Sequence, residues 1–467
     1  MGLHPALGAD PLLNDAVRVR IAAAKLSRVA IGVSIVEVKT GKILCGINET
    51  GLMTPASNVK LVTTGVALML LGPKFQFTTS LYAAGRIGAD RVLAGDLVLV
   101  AGGDPALSGR EHGGRTTAVF DAWAAETARF VRNVKGDLLV DDTLFDREYV
   151  HPSWPKDQLL RWYCAPVSAF ALNDNCVDVQ VKPGVAPGAP ARVTLDPPTQ
   201  YFKVVNRCTT VSSGQARAVI TRRSGKDVLV ISGRLTPGSR GARSPVAVAD
   251  PTRFAATVLA ERLAAAGVRI GGKVVLAQAP TNTAGMTRLA GGGHSLLTAI
   301  QTANKRSQNF YAEMILKTLG RGAGQPSSFG KGVQIVARRL DALGMKKGSY
   351  RLADGSGLSR DNAFSPLQLA SFLRNIALSK HADAFIGSLA VSGVDGTLKR
   401  RLADTSCRGN VLAKTGHLRG VSALSGYVRS GTRLLAFSII VNGEPLDLRA
   451  ADRLQDAICR ILVEWLQ

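Results

Sequence analysis

At 467 residues the chain is about three average domains long, and 46% hydrophobic and 20% charged residues with 49 Gly and 20 Pro exclude a peptide hormone, a collagen-like fibre and a disordered polymer. Its 58 Lys and Arg against 34 Asp and Glu leave a net charge of +24, which suits a nucleic acid or an anionic surface. The excess divides as +11 over residues 1–284 and +13 over 285–467, with no basic tail or single stripe, so no nucleic-acid partner is expected; life against an anionic polymer, lipid or cell wall explains the field at least as well.

Residues 12–25 read as an amphipathic helix, followed by strands over Val29–Val38 and Ile43–Ile47 joined at Lys39-Thr40-Gly41-Lys42. Thr54-Pro55-Ala56-Ser57 then opens a run with Val59, Val62, Val66 and Leu70 at helical spacing, stopped by Gly72-Pro73. From about 80 to 284 short β-rich pieces (Val92–Val100, Gly136–Val140, Val177–Val181, Val193–Leu195, Val228–Gly233) alternate with Gly/Pro turns, around one helical block at Phe120–Val131. Helical patterns return at Ser295–Asn304, Phe310–Leu319, Lys331–Leu343 and Pro366–Ala377. Strands at Val411–Leu418, Val421–Val428 and Leu434–Asn442 and a helix at Leu446–Trp465 close the chain. Both ends are therefore α/β and the middle is β-rich. A discontinuous domain interrupted by an insertion is the economical organisation.

No signal peptide is visible, and the longest strongly apolar uncharged run, Leu61–Pro73, is 13 residues, too short to cross a bilayer. The six Cys lack C-x-x-C spacing, and the six His (4, 112, 151, 294, 381, 417) are scattered, so neither a metal nor a His-centred catalyst is expected. Cys164 and Cys176 can close a short disulfide loop or stay free; sequence does not choose. A P-loop reading of Gly324–Lys331 fails, because five residues separate Gly324 from Gly330 and Gly332 stands where Ser or Thr is needed.

Three Ser-x-x-Lys tetrads occur, Ser57–Lys60, Ser153–Lys156 and Ser328–Lys331. Only Ser57 opens a long helix, where Lys60 lies one turn on along the same face and the helix dipole favours an anionic nucleophile. The plain alternative is an N-cap serine with a solvent-facing lysine. Lys-Thr-Gly occurs twice: Lys39–Gly41 is most simply a hairpin turn, whereas Lys414-Thr415-Gly416 lies on a strand that can pair with an extended substrate. Ser307-Gln308-Asn309 places a hydroxyl and an amide at a helix start.

Taken in order, Ser-x-x-Lys, Ser-x-Asn and Lys-Thr-Gly form the set found in penicillin-recognising acyl-serine enzymes. With Ser307 standing 247 positions after Lys60, the chain resembles the class C, low-molecular-mass penicillin-binding proteins, the D-alanyl-D-alanine carboxypeptidase/endopeptidase family (peptidase family S13). Gly102-Gly103-Asp104-Pro105, Asp141-Asp142-Thr143-Leu144-Phe145, Asp354–Arg360 and Gly396-Thr397-Leu398-Lys399 are similar too. The resemblance implies an α/β (α+β) fold: a penicillin-binding, transpeptidase-like domain over 1–79 and 285–467, with an antiparallel sheet flanked by helices. A β-rich inserted domain covers 80–108 and 186–284, and a second, 109–185, is nested within it.

The implied activity is serine-type D-alanyl-D-alanine carboxypeptidase and endopeptidase action on peptidoglycan stem peptides, through an acyl-serine that β-lactams also form, with no cofactor. A β-lactamase, or a scaffold or sensor that acylates without turnover, remains the alternative. Without a suitable His, Ser57 needs a neutral lysine as base, which Lys60 becomes if burial and the Lys414 cation lower its pKa. Ser307 would relay the proton to the leaving amine and Asn309 would position Lys60 and the substrate. The resemblance gives the oxyanion donors as the N–H groups of Ser57 and of His417, the residue after Gly416, and the carboxylate site as Lys414 and Thr415. His417 departs from the family, which usually has a hydroxyl residue there. Asp141 and Arg360 are candidates for the amino and acidic ends of the stem peptide; a turn-capping Asp and a surface Arg are their plain alternatives. Peptidoglycan as substrate implies a periplasmic or extracellular location, with a peripheral membrane or cell-wall association open.

Overall fold

A computed structural model describes residues 10–223, 225–322, 325–403 and 406–467; His4 and Gly324 fall outside them. The chain forms two compact units, one from Met1–Phe75, Ser295–Gly320 and Phe329–Gln467, the other from Gln76–His294 and Arg321–Ser328.

In the first unit a six-stranded antiparallel sheet runs in the order Ala390–Val391, Val411–Leu418, Val421–Ser430, Arg433–Asn442, Ala30–Glu37, Ile43–Ile47. The N-terminal hairpin is thus completed by the last strands of the chain, with Ile31 opposite Val441 and Ile35 opposite Phe437. Its turn is the first Lys-Thr-Gly, where Gly41 takes φ +79° and donates to the Glu37 carbonyl at 2.8 Å. Val33, Ser34, Ile35 and Val36 are all buried, because helices cover both faces of the sheet.

Val33 and Ile35 belong to a core with Leu13 and Val17 of the Pro11–Ala23 helix and Leu454, Ile458 and Leu462 of the C-terminal Leu448–Leu466 helix. The spacing of four between the last three is what puts them on one helical face. On the opposite face the Pro366–Ala377 helix packs, and a Cβ on Gly32 would meet Met53 and Pro366 at 2.6 and 2.7 Å. The mixed α/β architecture with antiparallel sheets flanked by helices is the one expected.

The second unit holds a seven-stranded sheet, whose central strands are Thr79–Ile87 and Val92–Val100, and two three-stranded sheets. Beside the expected helix, here Ala118–Phe130, it contains a second of 15 residues, Pro251–Ala265, where only β-rich texture was read. Pro251, Thr252, Phe254, Ala255, Ala256, Val258, Leu259 and Leu263 are buried while Arg253, Ala264 and Ala265 are exposed; alanine stands on both faces, so the stripe has little contrast in the sequence. Its local signals were Asp250, which caps Arg253 N, and Pro at the first position. All six cysteines are buried and free, so Cys164 and Cys176 are not bridged. Among the described residues no helix is long and apolar enough to cross a membrane.

Candidate active site

Ser57 sits in a single 3-10 turn, Ala56–Asn58, immediately before the Val59–Leu71 helix. Ala56 is held at φ +46°, a left-handed conformation that costs an L-residue on the order of 1 kcal/mol or more and marks a turn fixed from outside. The clamp is Gly357, at φ +80°: a Cβ there would lie 1.9 Å from the Ala56 carbonyl oxygen.

Lys60 is fully buried, not solvent-facing. Its Nζ lies 2.9 Å from Ser57 Oγ, 2.7 Å from Asn309 Oδ1 and 2.6 Å from the Ser356 carbonyl oxygen. Two of these partners accept only. A neutral amine has two hydrogens and one lone pair, so donating to Asn309 and Ser356 leaves the lone pair facing the Ser57 hydroxyl. Burial lowers the Lys60 pKa from 10.5 to about 7, against the opposing pull of Asp354 and Glu313.

Ser307 lies between the Leu296–Lys305 and Asn309–Leu319 helices at φ +58°, and Asn309 is the first residue of the second helix. Lys414, also fully buried, donates to Ser307 Oγ at 2.8 Å and to the Thr415 carbonyl at 2.7 Å. Burial, and then repulsion from Lys60, push its pKa well below the ordinary lysine value. Gly416 allows the close approach of strand and turn, since a Cβ there would stand 3.1 Å from the Ser57 nitrogen and 2.9 Å from the Pro55 oxygen. The Val411–Leu418 strand pairs with Ala390–Val391 only at Leu412 and Ala413, so among the described residues Lys414–Leu418 present an open edge.

The Asp354–Ser359 loop that carries Gly357 and the Ser356 carbonyl is pinned at two points. Asp354 accepts from Gly357 N at 2.8 Å, Ser359 N at 2.7 Å and Asn362 Nδ2 at 2.8 Å. Glu313, buried one turn along the helix from Asn309, accepts from Gly355 N at 3.0 Å and Ser356 N at 2.7 Å. Burial, then repulsion from Asp354, raise the Glu313 pKa to about 8.

Sequence reading gave Glu313 no role, although a carboxylate amid Phe310, Tyr311, Ala312, Met314, Ile315 and Leu316 was a signal. Glu313→Gln puts an N–H donor against one of two amide N–H groups, at a cost of roughly 1–3 kcal/mol. Acylation by benzylpenicillin is expected to slow about tenfold. With its own pKa raised to about 8, Glu313 is largely neutral where Lys60 titrates near 7, so the acid limb of the variant's acylation profile is expected to stay in place. A limb moved by a full pH unit, or a rate equal to wild type, contradicts this role.

At the rim, Thr415 Oγ1 donates to Thr397 Oγ1 at 3.0 Å beside a cavity of about 410 Å³ lined by Lys305, Arg306, Asp395, Gly396 and Thr397. Lys305 is paired with Asp395 at 2.5 Å, while Arg306 is exposed. His417 Nε2 lies 2.9 Å from Asp452 Oδ1, which also accepts from Ser422 Oγ at 2.9 Å. These contacts and the Arg401 charge outweigh burial and hold the Asp452 pKa below its ordinary value. Arg360 is exposed and donates to the Arg419 carbonyl at 2.6 Å. Asp141 belongs to the other unit, where its carboxylate accepts from Thr143 N, Thr143 Oγ1 and Thr281 N at 2.9, 2.6 and 2.6 Å. Ser57, Lys60, Ser307, Asn309 and Lys414 are thus joined by hydrogen bonds in two groups, Ser57–Lys60–Asn309 and Lys414–Ser307, from three distant segments.

Residues 13–465 match the sequence profile of the D-Ala-D-Ala carboxypeptidase 3 (S13) family. The chain is 34% identical to a D-alanyl-D-alanine carboxypeptidase of Actinomadura sp. (strain R39), over 98% of this chain and 88% of that one. It is 26% identical to the D-alanyl-D-alanine carboxypeptidase DacB of Haemophilus influenzae, over 88% and 85%. The crystal structure of penicillin binding protein 4 from the same organism superposes with a TM-score of 0.81 at 25% identity, covering 97% of this chain and 99% of that one.

Proposed function

Since the chain belongs to the D-Ala-D-Ala carboxypeptidase 3 (S13) family and is a serine-type D-alanyl-D-alanine carboxypeptidase, we propose that Ser57 is its nucleophile and Lys60 its general base. The observation that carries this reading is the buried Lys60 amine, whose two carbonyl acceptors leave its lone pair to Ser57 Oγ. Ser57 Oγ bonds to the carbonyl carbon between the two D-alanines as its proton passes to Lys60 Nζ. The negative charge on the carbonyl oxygen is met by the N–H groups of Ser57 and His417.

The C–N bond then breaks, and the proton reaches the leaving amine with Ser307 as relay. Water attacks the acyl-serine by the reverse route and frees both product and hydroxyl. Lys414 and Thr415 take the terminal carboxylate; its negative charge offsets the burial that disfavours the Lys414 ammonium. The open edge Lys414–Leu418 suits an extended stem peptide, which also fits a cross-linked one, so endopeptidase cleavage belongs to the same reading. Arg360, exposed, is offered to the acidic end of the stem. The substrate lies outside the cytoplasmic membrane, so the enzyme acts in the periplasm or beyond it.

Intact mass after incubation with benzylpenicillin tests the assignment. One adduct, mapped to the peptide of Ser57 and absent from Ser57→Ala, is expected, together with D-alanine release from a synthetic stem peptide. An adduct elsewhere rejects Ser57. Rapid penicillin hydrolysis without D-alanine release identifies a β-lactamase, and acylation with neither identifies a sensor.

A further inference from the structure

Residues 182–243 carry 11 Lys and Arg against 2 Asp and Glu, a concentration that dividing the chain at 284 averages away. The fold gathers much of it on one surface. Lys203–Thr210, Val228–Leu235 and Arg217–Arg222 form a three-stranded sheet with Val228–Leu235 in the middle. One face is closed by the buried Leu229, Ile231, Leu235, Cys208 and Thr210.

The other face is laid out in register rows: Arg217–Arg234–Thr209, Val219–Ser232–Arg207 and Thr221–Val230–Val205. Val228 and Lys203 begin a fourth row, which Arg223 extends by donating its N–H to the Val228 carbonyl at 3.0 Å. Five of these twelve residues are cations and none is a carboxylate. Lys203, Arg207, Arg217, Arg223 and Arg234 are all exposed, and none makes an ion pair among the described residues. The two acids of the stretch are engaged elsewhere: Asp196 accepts from Thr116 Oγ1 at 2.5 Å, and Asp227 is half-buried with Tyr201 and Arg222 beside it.

At about 4.8 Å between strands and about 7 Å between alternate residues, the rows make a patch roughly 10 by 20 Å. Val205, Val219 and Val230 lie in its two inner rows, and four of its five cations, Arg217, Arg234, Arg223 and Lys203, stand in the two end rows. A planar lattice of phosphates over an apolar layer complements that pattern. A nucleic acid does not, because the face offers no aromatic for stacking and no helix for a groove. We infer that this face is a docking surface for the anionic headgroups of a phospholipid bilayer.

The test is sedimentation of the full chain with phosphatidylcholine vesicles with and without phosphatidylglycerol. Binding only to the anionic vesicles, weakened by salt, is expected. Combined R207E, R217E and R234E is expected to reduce it at least about tenfold, with benzylpenicillin acylation unchanged to show that the fold is intact. The milder pair R207Q and R217Q is expected to fall between. K39E, K42E and K380E together, the same change of charge at exposed lysines of the other unit, is expected to bind like wild type. The inference is overturned if wild type ignores phosphatidylglycerol, if the control set loses binding equally, if the face variants bind normally, or if the face retains duplex DNA but not vesicles.

Discussion

Lys60→Met is expected to slow acylation by benzylpenicillin about 10³-fold, within the range that removal of a positioned general base produces. In wild type the rate is expected to climb as pH rises through about 7, where Lys60 gives up its proton. A second, independent readout comes from stability. In the unfolded chain the lysine titrates near 10.5 and in the fold at about 7. Below pH 7 both states hold the proton and the fold bears the whole cost of a buried ammonium. Between 7 and 10.5 the folded enzyme is neutral there while the unfolded chain is still charged, so the cost fades; above 10.5 it is gone. Chemical denaturation should therefore show wild type gaining on the order of 4 kcal/mol relative to Lys60→Met between pH 7 and 10.5. The constant part of the difference, including the Lys60 hydrogen bonds to Asn309 and Ser356, cancels in this comparison. A pH-independent difference would mean that Lys60 stays charged in the fold, and the lone-pair geometry at Ser57 would lose its basis.

Gly357→Ala should also cost activity heavily, without touching a reacting atom. The added methyl lies 1.9 Å from a backbone oxygen that no side-chain rotation can move, at a φ of +80°. Either the Asp354–Ser359 loop retreats, taking the Ser356 carbonyl from Lys60, or the Ala56 turn shifts and moves Ser57. A displacement of about 1 Å at a nucleophile is worth around 100-fold, and destabilisation of about 1–3 kcal/mol accompanies it. Acylation within threefold of wild type would show that the turn is not clamped from this side. Gly72→Ala is the control: its φ is also positive, +75°, but no atom lies within 4 Å of its Cβ position. It should cost stability and leave acylation unchanged.

Much of the site was legible because its parts are local. A serine and a lysine three apart at a helix start share a face whatever the rest of the chain does, and the Pro366–Ala377 helix and the Val411–Leu418 strand fall where their periodicity put them. Other features left no such trace. The Pro251–Ala265 helix carries alanine on both its buried and its exposed face, so its pattern has little contrast, and the basic face of the second unit assembles from three short strands whose charges are unremarkable one strand at a time. Glu313 and Gly357 act on Lys60 and Ser57 only through a loop more than 290 residues away along the chain from either.

By itself, the order of residues determined the three motifs, their residue types and the alternation of α/β ends with a β-rich middle, since these depend on spacing along one element or on composition. Tertiary structure alone decided the protonation of Lys60. A lysine at a helix start is an ordinary surface cation until the surrounding segments exclude water from it and turn two carbonyl oxygens toward its hydrogens. Desolvation and hydrogen-bond direction are properties of what surrounds a group in space, and no local pattern in the chain encodes them.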